Sequence, residues 1–240
     1  MYSWKTKIRY TETEQDGRLS LTAMINLLQD CSTFHTEESG RGLAYHLPRH
    51  EGWYIFSWQI DIDEMPRLGE EVSVNTWPAS YQGVIVNRDF EILRDSDGKS
   101  LLRARSIWAL MNLDRLLPLK LDEEKEFFPE EGPVAGEWGG RKLRLEKDLT
   151  FEDCRAFDVA PEMIDTNQHM NNAFYIYEAS TVLPKGKHIR GIRTEYKAQA
   201  LLGDTIYMKR CVTEDSVTVL LNKPDGDTYA VIRFLTKEEN

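Results

Sequence analysis

The strongest constraint on the fold is an order of secondary-structure patterns that occurs twice along the 240 residues. In each half, one amphipathic helix pattern is followed by short segments of alternating hydrophobic and polar residues, which are typical of antiparallel strands. One helix followed by a run of strands predicts an α+β fold and not a parallel βαβ sheet. Two short matches agree with this order: residues 68–70 match 202–204 at an offset of 134, and residues 21–24 match 170–173 at an offset of 149. We therefore predict an internal repeat.

The first half is predicted to hold one long helix and five strands. Ser20 suits the N-cap of the helix, and Gly40 suits the position just after its end. The apolar face of this helix is formed by Leu21, Met24, Ile25, Leu28 and Cys31. The strands are predicted at residues 4–11, 53–63, 71–76, 84–93 and 103–112.

The second half repeats this content. Its helix is predicted from residue 172 to about 182, with Pro184 ending it. Its strands are predicted at residues 151–159, 189–196, 204–213, 216–222 and 228–236. We predict a first domain over residues 1–121, a linker rich in charge, Pro and Gly over 122–148, and a second domain over 149–240.

Composition narrows the classes of function. The net charge of −10 and a pI near 5.1 disfavour general nucleic-acid binding, which needs a basic surface. No apolar stretch is long enough for a membrane span, and the N-terminus lacks the apolar core of a signal peptide. Cys31, Cys154 and Cys211 are far apart, which indicates reduced thiols and excludes a cysteine-based zinc site. We expect a cytoplasmic protein.

Residues 165–172, Asp-Thr-Asn-Gln-His-Met-Asn-Asn, combine an acid, an amide and an imidazole with a helix start. If this segment is extended, Asp165, Asn167 and His169 point to one side. Either of the two asparagines that follow can cap the helix. Free N–H groups near residues 171–173 would then hold a developing oxyanion.

A purely structural role explains the same residues. Asp, Asn and His before a helix are common caps and turn formers, so spacing alone favours capping. The family resemblance described next, with its repeated pattern, implies catalysis instead. His35, His46 and His50 have no matching carboxylate cluster, and we expect surface or packing roles for them instead of metal ligation.

The eight residues 165–172 resemble the Asp-x-Asn-x-His-x-Asn-Asn signature of the acyl-ACP thioesterase family, which includes plant plastid enzymes and bacterial relatives. Tyr175 and Tyr177 extend the likeness, as does Glu-Tyr-Lys-Ala-Gln-Ala at residues 195–200. The resemblance implies a tandem (double) hotdog, in which each half is a long helix wrapped by an antiparallel sheet. The plant enzymes carry a transit peptide that we do not find here, so the bacterial branch is the closer match.

The resemblance also implies a function. It predicts an enzyme of fatty acid biosynthesis that hydrolyses the thioester of fatty acyl-acyl carrier protein to free fatty acid, without a metal or organic cofactor. Asp165, Asn167 and His169 match catalytic positions of the family. The first half would mainly shape the acyl-chain pocket, because its corresponding loop, which we place at residues 16–20, lacks the Asn and the His.

One departure from the family bears on mechanism. The plant enzymes have Glu-Cys where this chain has Gln199 and Ala200. A cysteine nucleophile is therefore absent at that position, and we favour direct attack by water. His169 is the best general base, Asp165 either orients it or activates the water, and Asn167 binds the carbonyl oxygen or fixes the carboxylate.

Gln199 has two possible roles. Its amide can hold a water molecule but cannot deprotonate it, or the residue is plain strand surface.

A local basic run stands out against the acidic background. It is a candidate docking face for the acidic acyl carrier protein, although an ordinary solvated loop explains it equally well. The run comprises Lys185, Lys187, Arg190, Arg193 and Lys197.

Two rival functions stay open at this level. The first is the same chemistry on acyl-CoA, and the second is a non-catalytic hotdog module that binds acyl groups. The sequence leaves the acyl-chain preference open, as well as the choice between a monomer and a homodimer.

Overall fold

The computed structural model describes residues 1–121, 132, 138–146 and 148–238. Within these residues the chain is α+β, as predicted, and forms two compact units. The first comprises Met1–Phe56 with Ile62–Trp138, and the second comprises Ser57–Asp61 with Gly139–Asn240. The predicted linker over 122–148 lies largely outside the described residues.

The first unit contains the long helix α1, Leu21–Glu38, the short helix α2, Leu43–His46, and an antiparallel sheet. In the sheet, neighbouring strands follow the order β1, β3, β4, β5, β2, and a short β6 pairs with β5. The strands are β1 Tyr2–Lys7, β2 Glu51–Ile62, β3 Glu71–Gln82, β4 Ile85–Arg94, β5 Ser100–Asn112 and β6 Leu117–Pro118.

Helix α1 begins and ends as its sequence predicts. The hydroxyl of Ser20 accepts a hydrogen bond from the N–H of Ala23 at 3.1 Å, which satisfies one otherwise unpaired helix amide. Gly40 follows the helix with a φ of +77°, a conformation that glycine adopts without strain. The helix packs against β1 and β3 through its buried face, where the thiol of Cys31 donates to the carbonyl of Val74.

The second unit contains helix α3, Asn172–Ser180, which packs on two strands of a five-stranded antiparallel sheet. The strand order is β8, β11, β10, β9, β7. The strands are β7 Glu152–Asp158, β8 Lys187–Tyr196, β9 Thr205–Val212, β10 Ser216–Asn222 and β11 Thr228–Glu238. Residues Gln59, Ile60 and Asp61 also belong to this unit and pair with β8.

Hydrogen bonds correct the register of the repeat. The N-caps Ser20 and Asn171 are 151 residues apart, so the helices match at 151 and not at the predicted 149. The offset of 134 is correct for the turns before β3 and β9. Gly69 there donates its N–H to Ile8, just as Gly203 donates to Val159. The short match at 149 was misleading because it compared residue types and ignored the caps.

The three cysteines are free thiols. Cys31 and Cys211 are buried, and burial raises the pKa of Cys31 to about 12, which leaves this thiol unreactive near neutral pH. None of the helices in the described part of the chain combines the length and apolarity that crossing a membrane requires.

Candidate active site

Within the segment 165–172, residues 165–169 form a closed loop, which we call the polar loop. An antiparallel bridge between Ile164 and Met170 joins its two ends. Inside it, the N–H of Asp165 donates to the carbonyl of His169 at 2.9 Å, and the N–H of Gln168 donates back to the carbonyl of Asp165 at 3.0 Å. The premise of an extended segment with alternating faces is therefore wrong, because these bonds turn the chain back on itself.

The tight closure requires a left-handed residue. Gln168 has a φ of +62°, which is costly for any side chain other than glycine. The first half makes the same turn with Gly17, whose φ is +75°. The second half therefore carries backbone strain at a residue next to His169, which is a common property of functional loops.

This strain gives a testable prediction. We expect Gln168→Gly to raise the free energy of unfolding by about 0.5–1 kcal/mol, because glycine removes the left-handed penalty and the exposed glutamine side chain packs little. The matched control is Thr166→Gly in the same loop, an exposed residue without a positive φ, which should lower stability by about 0.5–1 kcal/mol. Urea unfolding measures both. Two changes of the same sign would contradict the strain argument.

The carboxylate of Asp165 organises the polar loop from inside. Its Oδ1 accepts the N–H of Asn167 at 2.8 Å and the N–H of His169 at 3.4 Å. Burial raises the pKa of Asp165 above its ordinary value, and the two amide bonds oppose this rise. The carboxylate of Asp165 is thus bonded to the main chain of both Asn167 and His169 within one loop.

His169 is half-buried, and its Nδ1 is shielded from solvent. Burial lowers the pKa of His169 below its ordinary value, while the negative charge of Asp165 opposes the fall. The imidazole is therefore neutral at neutral pH, which is the state that can accept a proton.

The start of α3 offers fewer free amides than the sequence suggests. Asn171 is the N-cap: its Oδ1 accepts the N–H of Ala173 at 2.9 Å, and its own N–H donates to Met163 at 2.8 Å. Two of the three amides expected to hold an oxyanion are thus already engaged. The predicted oxyanion role of these amides therefore loses two of its three donors.

A second segment lies beside the polar loop. We define the β8–β9 segment as residues 197–204, and it carries Gln199 and Ala200. The carbonyl of Ala200 accepts the N–H of Met170 at 2.9 Å, which joins this segment to the end of the polar loop. The side chain of Gln199 is exposed, as a surface role predicts, but the residue lies in a loop after β8 and not in a strand. Gln199 is next in sequence to Ala200, whose carbonyl makes the hydrogen bond to Met170.

Sequence reasoning gave Tyr175 no role beyond its likeness to the family. Its ring is buried in α3, and its Oη accepts the N–H of Ala200 at 2.9 Å. The available signal was chemical, because a tyrosine on the buried face of a helix needs a partner for its hydroxyl.

The first half contains the same loop without the same chemistry. The N–H of Glu14 donates to the carbonyl of Arg18 at 2.8 Å, which repeats the closure seen in the polar loop. Glu14, Asp16 and Arg18 therefore take the places of the acid, the amide and the imidazole, and the counterpart is residues 14–18 and not 16–20. The absence of an asparagine and a histidine from this loop holds in the corrected register.

The predicted basic run follows a strand and does not form one compact face. Lys185 lies before β8 and Lys197 after it, and ten strand residues span about 30 Å between them. Lys187 donates to the carbonyl of Glu214, and Arg193 is half-buried against the carbonyl of Gly140. Lys197 lies three residues before Ala200, whose carbonyl bonds to the end of the polar loop.

His46 takes a packing position and His50 a surface position. His46 is buried, and its ring bonds to Glu51 at 3.0 Å and to the indole N–H of Trp53 at 3.3 Å. His50 is exposed beside Asp114. In the described ranges, no three His, Cys, Asp or Glu side chains lie so that they could hold a metal ion together.

Comparison with known structures agrees with the fold. A crystal structure of an acyl-ACP thioesterase from Bacteroides thetaiotaomicron covers 98% of this chain and 97% of its own with a TM-score of 0.85 at 23% identity. The 12:0-ACP thioesterase from Umbellularia californica covers 99% and 97% with a TM-score of 0.83 at 20% identity. The fold is thus that of a tandem hotdog protein, as predicted.

Comparison with known sequences identifies the family. The family model described as Acyl-ACP thioesterase N-terminal domain matches residues 1–125. The chloroplastic palmitoyl-acyl carrier protein thioesterases of Gossypium hirsutum and Arabidopsis thaliana are 28% and 26% identical over 73% and 95% of this chain. The alignments span 45% and 59% of those relatives, about half their length. The chain belongs to the acyl-ACP thioesterase family.

Proposed function

We propose that this protein hydrolyses the thioester of fatty acyl-acyl carrier protein and releases a free fatty acid, as a step of fatty acid biosynthesis. The observation that carries the proposal is the closed polar loop, which brings Asp165, Asn167 and His169 together in a chain of this family. The counterpart loop of the first half, residues 14–18, has no asparagine and no histidine, so the second half is the proposed catalytic half.

His169 is the proposed general base. The neutral imidazole takes a proton from water while the water oxygen attacks the thioester carbonyl carbon. The resulting oxyanion collapses, the carbon–sulfur bond breaks, and the leaving thiolate takes the proton back from the imidazolium. The products are a carboxylic acid and the free thiol of the carrier, so all atoms and protons are accounted for.

Asp165 supports this cycle electrostatically. While the imidazolium exists, the nearby carboxylate lowers its energy, and the same attraction opposes the burial that lowers the pKa of His169. Asn167 carries the amide that can bind the carbonyl oxygen of the substrate. We assign the amide of Gln199 to holding the attacking water, because Gln199 adjoins the residue that contacts the polar loop.

The proposed route has no covalent acyl-enzyme. A thiol in place of the Ala200 methyl group would be needed for a cysteine nucleophile at that position, and alanine has no nucleophilic atom. Direct attack by water is therefore the simpler course for these residues.

The decisive experiment measures fatty acid release by the purified chain from acyl-ACP and from acyl-CoA with the same acyl group. We expect kcat/KM to be higher for acyl-ACP. A higher kcat/KM for acyl-CoA would favour the rival carrier. Binding of acyl chains without hydrolysis would identify a non-catalytic acyl-binding module.

Docking of the carrier protein is proposed at Lys197. This exposed cation is three residues from Ala200, at most about 11 Å of chain, so a carrier bound there is close to the polar loop. An acidic partner gains from such a cation in a chain whose net charge is −10.

We expect Lys197→Glu to raise KM for acyl-ACP by roughly tenfold, the scale of one interfacial charge pair. The matched control is Lys185→Glu at the far end of β8, which should change KM for acyl-ACP much less. The effect of Lys197→Glu should shrink as salt is added. Equal effects of the two reversals would instead support docking along the whole predicted run.

A further inference from the structure

Two hydrogen bonds hold the main chain of Ala200. The first, the loop bond, runs from the N–H of Met170 to the carbonyl of Ala200 at 2.9 Å. The second, the tyrosine bond, runs from the N–H of Ala200 to the Oη of Tyr175 at 2.9 Å. Both Ala200 and Tyr175 are buried, at 0% and 2% exposure, so neither bond competes with bulk water.

The hydroxyl of Tyr175 is held in a defined position. Its ring lies on the buried face of α3 and meets the ring of Tyr196 edge-on, with 5.5 Å between the ring centroids. Burial raises the pKa of Tyr175 well above its ordinary value, and the charge of Asp165 adds to the rise. The phenol therefore stays protonated, and its oxygen can accept the amide at any pH at which the protein functions.

The first half of the chain serves as an internal comparison. There the N–H of Leu19 donates to the carbonyl of Pro66 at 2.8 Å, so the loop bond is present in both halves and belongs to the fold. The tyrosine bond cannot form in the first half, because proline has no N–H and Met24 takes the place of Tyr175. The fold closes without the tyrosine bond, which is therefore specific to the half that carries His169.

We infer that Tyr175 is a positioning residue of the proposed catalytic site. The tyrosine bond holds the β8–β9 segment, which carries Gln199, at a fixed distance from the polar loop, which carries His169. This inference rests on the proposed function, because the groups that Tyr175 positions are those assigned to the attacking water.

The test is Tyr175→Phe, which keeps the ring and removes only the acceptor oxygen. We expect kcat to fall by about 10- to 100-fold, the scale of a displacement of about 1 Å in a catalytic group. KM should change by less than about twofold, because no substrate contact is removed. The amide hydrogen of Ala200 should exchange with solvent faster in this variant, since its acceptor is gone.

The matched control is Tyr229→Phe. Tyr229 is also buried and reaches the same segment, where its hydroxyl donates to Asp204 at 2.8 Å. Asp204 keeps its bond to the N–H of Leu201 at 2.9 Å without this hydroxyl. The control should therefore leave kcat within about twofold and the exchange of the Ala200 amide unchanged.

The two readouts separate the possible failures. Unchanged exchange at Ala200 in Tyr175→Phe would overturn the tyrosine bond. Faster exchange with an unchanged kcat, or equal losses of kcat in both variants, would overturn the positioning role. A wild-type protein that hydrolyses neither acyl-ACP nor acyl-CoA would instead refute the proposed function, and the exchange measurement would still report on the bond.

Discussion

Replacing His169 with alanine should lower kcat/KM for the acyl thioester by about 10²–10⁴-fold, because the variant loses the group that takes the proton from water. The structural cost should be small, since the loop closure uses the main-chain atoms of His169 and not its ring. The loss should appear mainly in kcat, because the proton transfer occurs only in the transition state. Fatty acid release under steady-state conditions measures both parameters.

The chain supplies its own control for this prediction. Arg18 takes the place of His169 in the first-half loop, so Arg18→Ala removes a side chain from the same local geometry and should leave kcat/KM within about twofold. In the same assay, Asn167→Ala and Gln199→Ala should lose less than His169→Ala, because each removes one hydrogen bond and leaves the base in place. Full activity in His169→Ala would remove the polar loop from the mechanism.

The second large effect is expected from Asp165→Asn. The amide oxygen of asparagine can still accept the N–H groups of Asn167 and His169, so the loop should keep its shape while losing its charge. We expect kcat to fall by about 10²-fold, because the imidazolium formed during the reaction loses its stabilising carboxylate. Thermal unfolding should show a folded variant.

The pH dependence of kcat/KM tests the direction of the coupling between Asp165 and His169. In the wild type, burial lowers the pKa of His169, so the acidic limb of kcat/KM should be centred below pH 6.5. The charge of Asp165 opposes that shift, and its removal in Asp165→Asn should move the limb further down. A limb that moves up would contradict the coupling. Complete loss of the limb, with activity retained in His169→Ala, would make Asp165 the base.

Local signals predicted the helices and strands well. In α1, Ser20 and Gly40 lie on either side of an apolar face. The N-cap, the apolar face and the left-handed residue after the helix each depend on residues within one or two helical turns. The strands of both units follow from the alternation of apolar and polar residues, which depends only on neighbouring positions. The register of the repeat was wrong at the helices because a four-residue match has no information about caps.

The errors at the site have one physical origin. The polar loop was read as extended because period-2 alternation is a local rule, whereas the bridge from Ile164 to Met170 reverses the chain and needs a left-handed Gln168. The residues of the basic run are close in sequence, and their role as a docking face stays a prediction. Strand geometry separates Lys185 from Lys197 by about 30 Å.

By itself the sequence determined which chemical groups the chain has: an acid, an amide and an imidazole in five residues, no asparagine or histidine in the equivalent loop, and an alanine at position 200. Only the tertiary structure decided which main-chain amides near these side chains already donate hydrogen bonds. The amides of Asn171 and Ala173 are taken, and Ala200 is held by Tyr175, twenty-five residues away. Hydrogen bonds satisfy buried polar groups with whatever partner the fold brings near, and sequence distance does not limit that choice.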